Sequence, residues 1–189
     1  MDHLFNFNIK SNATCSLLSK SIGLTDFNSL SNAIKALPYG RTKNRSDYQA
    51  ILKENKGTCS TKHAFLKAVA LENNQDSVKL FIGIYKMNEN NTKGIGSILN
   101  TFNLDYIPEA HTYLKVNNNI LDITSTQTSN TSFKKDLIKE IEISPNQIGT
   151  YKVTLHKDFI SKWQKINNKS LSFETLWKIR EACIKQLSK

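Results

Sequence analysis

The stretch 57–72 constrains the fold of this chain more than any other segment. It opens Gly-Thr-Cys, and apolar residues then fill most of the following turns. Ala64, Ala68 and Leu71 recur at helical spacing and form one stripe. We therefore predict a helix that begins near Cys59, is exposed to water along a narrow edge, and is buried elsewhere by the rest of the chain.

Length and composition predict an ordinary globular domain. The chain has 189 residues, of which 39% are hydrophobic and 22% charged, so we expect one domain over residues 1–189. No stretch approaches the roughly 18 consecutive apolar residues of a membrane span. The segment 1–6 lacks the features of a secretion signal. The odd, widely spaced Cys15, Cys59 and Cys183 indicate a reducing compartment. We predict a cytoplasmic protein with no membrane partner.

The formal net charge of +10 suggests a general attraction to anions but no particular partner. Basic residues are spread along the chain, and the one tight cluster is 41–45. No nucleic-acid-binding fold or interleaved aromatic pattern accompanies it, so we expect no specific nucleic-acid partner. Arg41 and Arg45 are candidates to bind a substrate carboxylate or phosphate. The alternative is that they belong to a solvated loop.

Periodicity elsewhere predicts an α+β domain. Helices are expected in the first fifty residues and near 95–102, and the near-continuous apolar run at 78–86 predicts a strand that is buried on both faces. Together these patterns place a central cysteine helix against an antiparallel sheet, with helices at both ends. The other predicted strands are 111–116, 120–124, 137–143 and 151–155, and two closing helices are predicted near 158–166 and 173–187.

The predicted place of Cys59 at a helix N-terminus has chemical consequences. Unpaired N–H groups and a partial positive charge there favour the thiolate over the thiol. The same N–H groups can hold an oxyanion formed when the thiolate attacks a carbonyl. The alternative is a buried cysteine that only packs.

A predicted hairpin brings two further reactive side chains together. If Asn117 and Asn118 form a two-residue turn, Tyr113 faces Asp122, and His111 lies one diagonal away on the same face. An aspartate that holds one imidazole nitrogen leaves the other for a thiol, which is the arrangement of base and orienting group in nucleophilic catalysis. A loop with an odd number of residues would instead separate the two side chains onto opposite faces.

These motifs resemble the transglutaminase-like superfamily, whose members carry a circularly permuted relative of the papain fold. The resemblance covers about residues 50–125. It implies Cys59 as nucleophile, His111 as general base and acid, and Asp122 as the residue that orients the histidine. The matching motifs are Gly57-Thr58-Cys59-Ser60 opening a helix, His111-x-Tyr113 on a strand, and Leu121-Asp122-Ile123-Thr124 on its partner.

Two positions differ from many members of that superfamily. Tyr113 stands where many have tryptophan, and Ile123 stands where many have proline after the aspartate. An upstream side chain often completes the oxyanion hole, and the nearest candidates here are Tyr48, Gln49 and Asn55. Tyr113 is also a candidate to line a substrate pocket, with packing inside the sheet as its alternative.

Two functions follow as hypotheses. The first is cysteine-dependent acyl hydrolysis or transfer through a thioester, on a peptide, a glutamine side chain or a smaller amide. The second is a binding or scaffold protein that keeps the fold without turnover. A zinc site formed by Cys59, His63, His111 and Asp122 has suitable ligand types. The chain lacks C-x-x-C and H-E-x-x-H spacing, so we predict no metal and no cofactor.

Overall fold

The computed structural model describes residues 5–124, 133–167 and 170–187. These residues form seven α-helices and one four-stranded antiparallel sheet, which confirms the predicted α+β class. Among the described helices, none combines the length and apolar character that crossing a membrane requires. The helices are α1 (Thr14–Ser21), α2 (Phe27–Ala36), α3 (Ala50–Glu54), α4 (Cys59–Glu72), α5 (Gly96–Thr101), α6 (Thr150–Asn167) and α7 (Phe173–Gln186), and the strands are β1 (Val78–Met87), β2 (Ile107–Val116), β3 (Asn119–Leu121) and β4 (Leu137–Ile143).

The sheet has the order β3-β2-β1-β4, with every neighbouring pair antiparallel. The central strand β1 pairs with β2 along its whole length, from Val78 opposite Val116 to Met87 opposite Ile107. Strand β3 pairs only with the last three residues of β2. The preceding part of β2, 107–113, therefore has β1 on one side and a free backbone edge on the other, among the described residues.

The cysteine helix α4 lies at the centre of the molecule. It packs against β1 and β2, and α1 and α2 pack against it in turn. Every residue from Cys59 to Ala70 is buried, so the predicted wet edge is wrong for this part of the helix. Backbone carbonyls explain how the lysines are buried. The Lys62 ammonium donates to the carbonyls of Leu37 (2.6 Å) and Thr124 (3.0 Å), and that of Lys67 donates to the Val78 carbonyl (2.6 Å).

The N-terminal segment is anchored to the far end of α4. The Glu72 carboxylate accepts from the backbone N–H groups of Cys15 (2.9 Å) and Ser16 (2.6 Å), in the first turn of α1. These N–H groups have no partner within the helix, and a carboxylate at a helix N-terminus also opposes the helix dipole favourably. Asn73, next to Glu72, accepts from the N–H of Lys10 in the same way (2.8 Å).

The hairpin forms with the predicted two-residue turn. Asn117 and Asn118 have φ angles of +48° and +67°, which a two-residue turn of this kind requires and asparagine tolerates. Val116 pairs with Asn119, and Leu114 pairs with Leu121. The regular strand ends at Leu121, so the predicted strand over 120–124 is too long at its C-terminal end. Asp122 follows directly after the strand and hydrogen-bonds His111, as predicted.

The predicted strand at 151–155 is wrong, because these residues form the first turns of α6. Aromatic and β-branched residues there imitate a strand pattern. The buried residues of the helix are Lys152, His156, Ile160 and Trp163, at intervals of four, four and three. Polar side chains occupy the first two of these positions, so a search for apolar periodicity finds the helix only near residue 158.

Two hydrophobic clusters fill the space on either side of the sheet. One lies under α2 and α4 and includes Leu80, Ile82 and Ile84 of β1. The other includes Tyr85 and Met87, further along the same strand, and lies against α5, α6 and α7. Both ends of the chain therefore contribute helices to the core, as predicted.

Candidate active site

Cys59 is the first residue of α4, as the sequence predicts. Thr58 precedes it with extended backbone, and the Thr58 N–H donates to Thr61 Oγ1 at 3.0 Å. This local hydrogen bond fixes the entry of the chain into the helix. The cysteine is 8% exposed, while Cys15 and Cys183 are 1% and 0% exposed. All three are free thiols.

His111 and Asp122 are joined by a hydrogen bond of 2.7 Å between Nε2 and Oδ2. The other carboxylate oxygen of Asp122 accepts from the backbone N–H (3.0 Å) and hydroxyl (2.6 Å) of Thr124. Both oxygens of the aspartate are therefore held, and the imidazole orientation is fixed by the carboxylate. This pairing is the one that the hairpin register predicts.

The two groups also shift each other's ionisation. Burial alone would raise the pKa of the Asp122 carboxyl, but the charge and hydrogen bond of His111 outweigh it and hold that pKa well below its usual range. Burial alone would lower the pKa of His111. Asp122 and Cys59 outweigh this effect and raise the His111 pKa to about 10. The imidazole is therefore an imidazolium at neutral pH, when Cys59 is charged.

The surroundings of Cys59 favour the thiolate over the thiol. Burial alone would raise the pKa of its thiol, but the positive charges of Lys152 and His111, with hydrogen bonds from His111 and the Thr112 backbone N–H, lower that pKa to about 6. The Thr112 N–H belongs to the free edge of β2. Because Asp122 occupies Nε2 of His111, Nδ1 is the nitrogen that remains for the sulfur.

His63 plays a different part from His111. Its Nε2 accepts from the Ile123 backbone N–H at 2.8 Å, so the proton of the ring lies on Nδ1, which donates to the Cys59 carbonyl at 2.7 Å. Burial lowers the pKa of His63 to about 4, so the ring is neutral at pH 7. Its 3.5 Å approach to Asp122 is therefore not an ion pair. His63 links the start of α4 to the segment that carries Asp122.

Lys152 is the functional candidate that sequence reasoning missed. It lies on α6, in the segment predicted as a strand, and is 8% exposed. Its Nζ donates to Ser60 Oγ (2.7 Å) and Thr112 Oγ1 (2.9 Å), and it lies 3.8 Å from Cys59 Sγ. The spacing of four residues between Lys152, His156 and Ile160 is the sequence signal that could have placed the lysine on the same helix face as Ile160, although it gives no sign of a role.

Cys59 opens onto a cavity of about 490 Å³ between the start of α4, α6, α7 and the loop before α3. Arg41 and Arg45, the candidates to bind a substrate, both line this cavity. Arg41 is paired with Glu181 at 2.8 Å. His111 and Asp122 do not line the cavity. The sulfur thus lies between the cavity and the histidine. The charged residues of the wall are Arg41, Arg45, Lys152, Lys157 and Arg180 with Glu109 and Glu181.

Tyr113 is not brought to this cavity. Its side chain has no exposure, its ring lies over Gly83, and its hydroxyl donates to Glu140. It stacks beside His111, with 6.0 Å between ring centroids. In this structure Tyr113 packs within the sheet next to the histidine, which is the alternative considered from the sequence.

Other residues considered from the sequence also lie apart from a site. Tyr48, Gln49 and Asn55, the candidates for the oxyanion hole, do not line the cavity. In the described part of the chain, no group of three or more His, Cys, Asp or Glu side chains is arranged to hold a metal ion.

Comparison with known proteins adds no relative. No family model, no curated protein and no solved structure matches this chain. The resemblance to the transglutaminase-like superfamily therefore rests on the motif residues alone, and the function has to be inferred from the geometry and chemistry of the site.

Proposed function

We propose that this protein is a cysteine-dependent acyl hydrolase or acyl transferase with a transglutaminase-like, papain-related arrangement. Cys59 is the nucleophile, His111 the general acid and base, and Asp122 the residue that orients the histidine. The observation that carries the proposal is the 2.7 Å hydrogen bond from His111 to Asp122, because it leaves a charged imidazole beside a sulfur whose pKa is lowered to about 6.

The proposed chemistry runs in two steps. In the first, the Cys59 sulfur bonds to an amide carbonyl carbon, and the carbonyl oxygen takes the negative charge. Collapse of this intermediate breaks the C–N bond, His111 gives its proton to the leaving amine, and a thioester remains. In the second step, neutral His111 takes a proton from water or an amine, which attacks the thioester and expels the Cys59 thiolate. Hydrolysis and transfer differ only in that second nucleophile.

The substrate class is a peptide, a glutamine side chain or a smaller amide. A cavity of about 490 Å³ accommodates a side chain or a short peptide segment. Arg41 and Arg45 on its wall are placed to contact such a substrate. A nucleophilic thiol must stay reduced, which supports a reducing compartment, and we propose the cytoplasm.

A binding or scaffold protein is the second candidate. It is favoured by the low exposure of Cys59, at 8%, and by the absence of Tyr48, Gln49 and Asn55 from the cavity wall. In that case the cavity would bind a ligand and the charged groups would serve to hold it, without formation of a thioester.

Trapping the acyl intermediate separates the two candidates. Wild-type protein is mixed with a panel of glutamine-containing peptides, small amides and activated acyl esters, and intact and peptide mass spectrometry are used to find the acyl group. We expect one acyl group per chain, on Cys59 and released by hydroxylamine. Cys59→Ala should abolish the adduct. His111→Ala should slow its formation by about 10²–10⁴-fold, because the proton-transfer group is lost.

Cys183→Ser serves as the matched control, since it removes another buried free cysteine that does not line the cavity. Its acylation should equal that of the wild type. Folding of each variant is verified by circular dichroism. Acyl groups distributed over Cys15, Cys59 and Cys183, or no adduct on folded wild-type protein with any of the substrates, would contradict the enzyme and favour the binding protein.

A further inference from the structure

Lys152 is a buried cation without a carboxylate partner. It is 8% exposed, and no carboxylate of the described residues lies within ion-pairing distance of its Nζ. Burying an ammonium is costly unless hydrogen bonds and an opposite charge compensate for lost hydration. Two hydroxyl groups, of Ser60 and Thr112, provide hydrogen bonds but no charge. The carboxylate of Glu109 also interacts with the charge of Lys152, but both of its oxygens are already bound by Arg180. Most of the compensating charge therefore has to come from another group.

The nearest anion is the thiolate of Cys59. Its sulfur lies 3.8 Å from Nζ. An ammonium has three N–H donors. Two of them go to Ser60 and Thr112, and the third is left for the sulfur. Since the two hydroxyl groups come from α4 and β2, they hold the ammonium at a fixed place between the cysteine helix and the sheet.

The position of Lys152 relative to the cavity gives this third N–H a further use. Cys59 and Lys152 both line the cavity, whereas His111 does not. A carbonyl group that enters from the cavity therefore approaches the sulfur on the side where the ammonium lies. When the sulfur attacks, its negative charge moves to the carbonyl oxygen. The sulfur is then uncharged, and the N–H of Lys152 becomes available to the oxygen.

We propose that Lys152 is a catalytic residue that pairs with the Cys59 thiolate in the resting protein and then donates the same N–H to the oxyanion of the tetrahedral intermediate. The second half of this proposal rests on the proposed acyl chemistry; the first does not. The lysine transfers no proton in this step, and the electron pair of the C=O bond moves to oxygen as the S–C bond forms. The lysine supplies the oxyanion donor that Tyr48, Gln49 and Asn55 do not.

Alkylation by iodoacetamide tests the resting-state role without any substrate. The rate at Cys59 is followed against pH by peptide mass spectrometry, for the wild type, Lys152→Met, Lys152→Arg and Lys162→Met. The wild-type midpoint is expected near pH 6. Lys152→Met should raise it by about 1–3 pH units, because an opposite charge within about 4 Å is lost. Lys152→Arg keeps a positive charge, so its midpoint should lie between those of the wild type and Lys152→Met. Lys162→Met, an exposed lysine on the same helix, should leave the midpoint unchanged.

Acyl transfer at a pH above all the midpoints tests the second role. There every variant has a full thiolate, so any remaining defect reflects the oxyanion. Lys152→Met should lower kcat by about 10²–10³-fold with a smaller change in KM, as for loss of one oxyanion donor, and Lys152→Arg should recover part of it. If Lys152→Met does not fold, Thr112→Val takes its place, because it keeps the lysine but removes one of its two hydroxyl partners. Thr112→Val should raise the alkylation midpoint and lower kcat, each by less than Lys152→Met would.

The outcomes are distinct. An unchanged alkylation midpoint in folded Lys152→Met, or in Thr112→Val if that is the variant used, overturns the pairing with the thiolate. An unchanged kcat at high pH overturns the oxyanion role. A third outcome combines the two experiments: the alkylation midpoints shift between variants as expected, but the wild-type protein never forms an acyl adduct. That outcome overturns the oxyanion role together with the proposed function, while the pairing of Lys152 with the thiolate stands.

Discussion

Gly83 is the residue that permits the packing of Tyr113 beside the histidine. A methyl group at this position would lie 2.8 Å from Tyr113 Cε1 and 2.8 Å from Leu137 Cδ1. The Tyr113 ring cannot move away easily, because it is fully buried and its hydroxyl is bound to Glu140. The glycine on β1 pairs with His111 on β2, so its lack of a side chain shapes the surroundings of the proposed general base.

We predict that Gly83→Ala destabilises the protein by about 1–3 kcal/mol, because the added methyl group overpacks the sheet. Urea unfolding measures the change. Gly40→Ala is the matched control. A methyl group there meets the flexible end of Lys56 at 3.3 Å, so its effect should stay within about 0.5 kcal/mol. Equal unfolding free energies for the two variants would mean that the packing of the Tyr113 ring does not require glycine at position 83.

The residues of the candidate site differ in how far the sequence alone predicts their positions. Cys59 was placed by the helix entry, and His111 and Asp122 were placed by the length of the hairpin turn, since each depends on neighbours close in the chain. Lys152 lies 93 positions from Cys59 and carries no local signal of its role. It could be assigned only once α6 was packed beside the cysteine helix and β2.

At the scale of elements, α7 is held to β2 by a buried ion pair. Arg180 Nε donates to Glu109 Oε2 at 2.5 Å and Arg180 Nη2 donates to Oε1 at 2.6 Å, with side chains 11% and 7% exposed. This two-point contact fixes the orientation of the helix as well as its distance. It also closes one side of the cavity onto which Cys59 opens.

We predict that Arg180→Met destabilises the protein by about 3–5 kcal/mol, because Glu109 is left charged and buried. Replacing both residues, by Arg180→Met with Glu109→Met, should recover much of that loss. Urea unfolding at pH 7 of the wild type, both single variants and the double variant forms the required cycle. A double variant as unstable as the sum of the single variants would mean that the two side chains are not coupled.

The stability that the Arg180–Glu109 pair contributes should depend on pH and decrease on acidification. Burial alone would raise the pKa of Glu109, but Arg180 outweighs it and lowers that pKa from 4.5 to about 2. Stabilisation by the pair is therefore fully present above pH 4.5 and is lost as the pH falls through about 2. The difference in stability between the wild type and Arg180→Met should shrink over that range. A difference that grows on acidification would contradict the assignment.

Elements with a clear apolar period were predictable, and α6 was not. The strands β1 and β4 have apolar patterns that predict their positions, whereas β2 begins at Ile107, four residues before the strand predicted at 111–116. In α6, Lys152 and His156 occupy inward positions because both find hydrogen-bond partners there. Interior polar groups of this kind erase the apolar period on which prediction depends, and they mark the part of the helix nearest the candidate site.

At the scale of the whole molecule, α4 connects the N-terminal helices to the sheet and to the turn that precedes α6. It contacts α1 and α2 from the N-terminal part, and β2 and the turn at Pro145–Ile148 from the later part. The Lys62 ammonium binds carbonyls at Leu37 and Thr124, which are far apart in sequence. No part of this arrangement can separate without exposing the buried helix.

We therefore predict that the chain unfolds in one cooperative transition, as the single-domain hypothesis requires. Two probes test this in urea. Fluorescence of Trp163 and Trp177 reports on α6 and α7, and the reactivity of Cys15, which is 1% exposed, reports on α1. Their midpoints should coincide. Two separated midpoints would show that the N-terminal and C-terminal helices belong to independently stable units.

The turn at Asn117 and Asn118 has a consequence for how such a chain can evolve. Surface turns usually tolerate insertions and deletions. Here, one extra residue would leave a hairpin able to fold but would rotate Asp122 away from His111. Natural selection for the chemistry would then act on the number of residues in this turn more strictly than on their identity. In a descendant that had given up the chemistry, turn length would be free to drift while the fold survived.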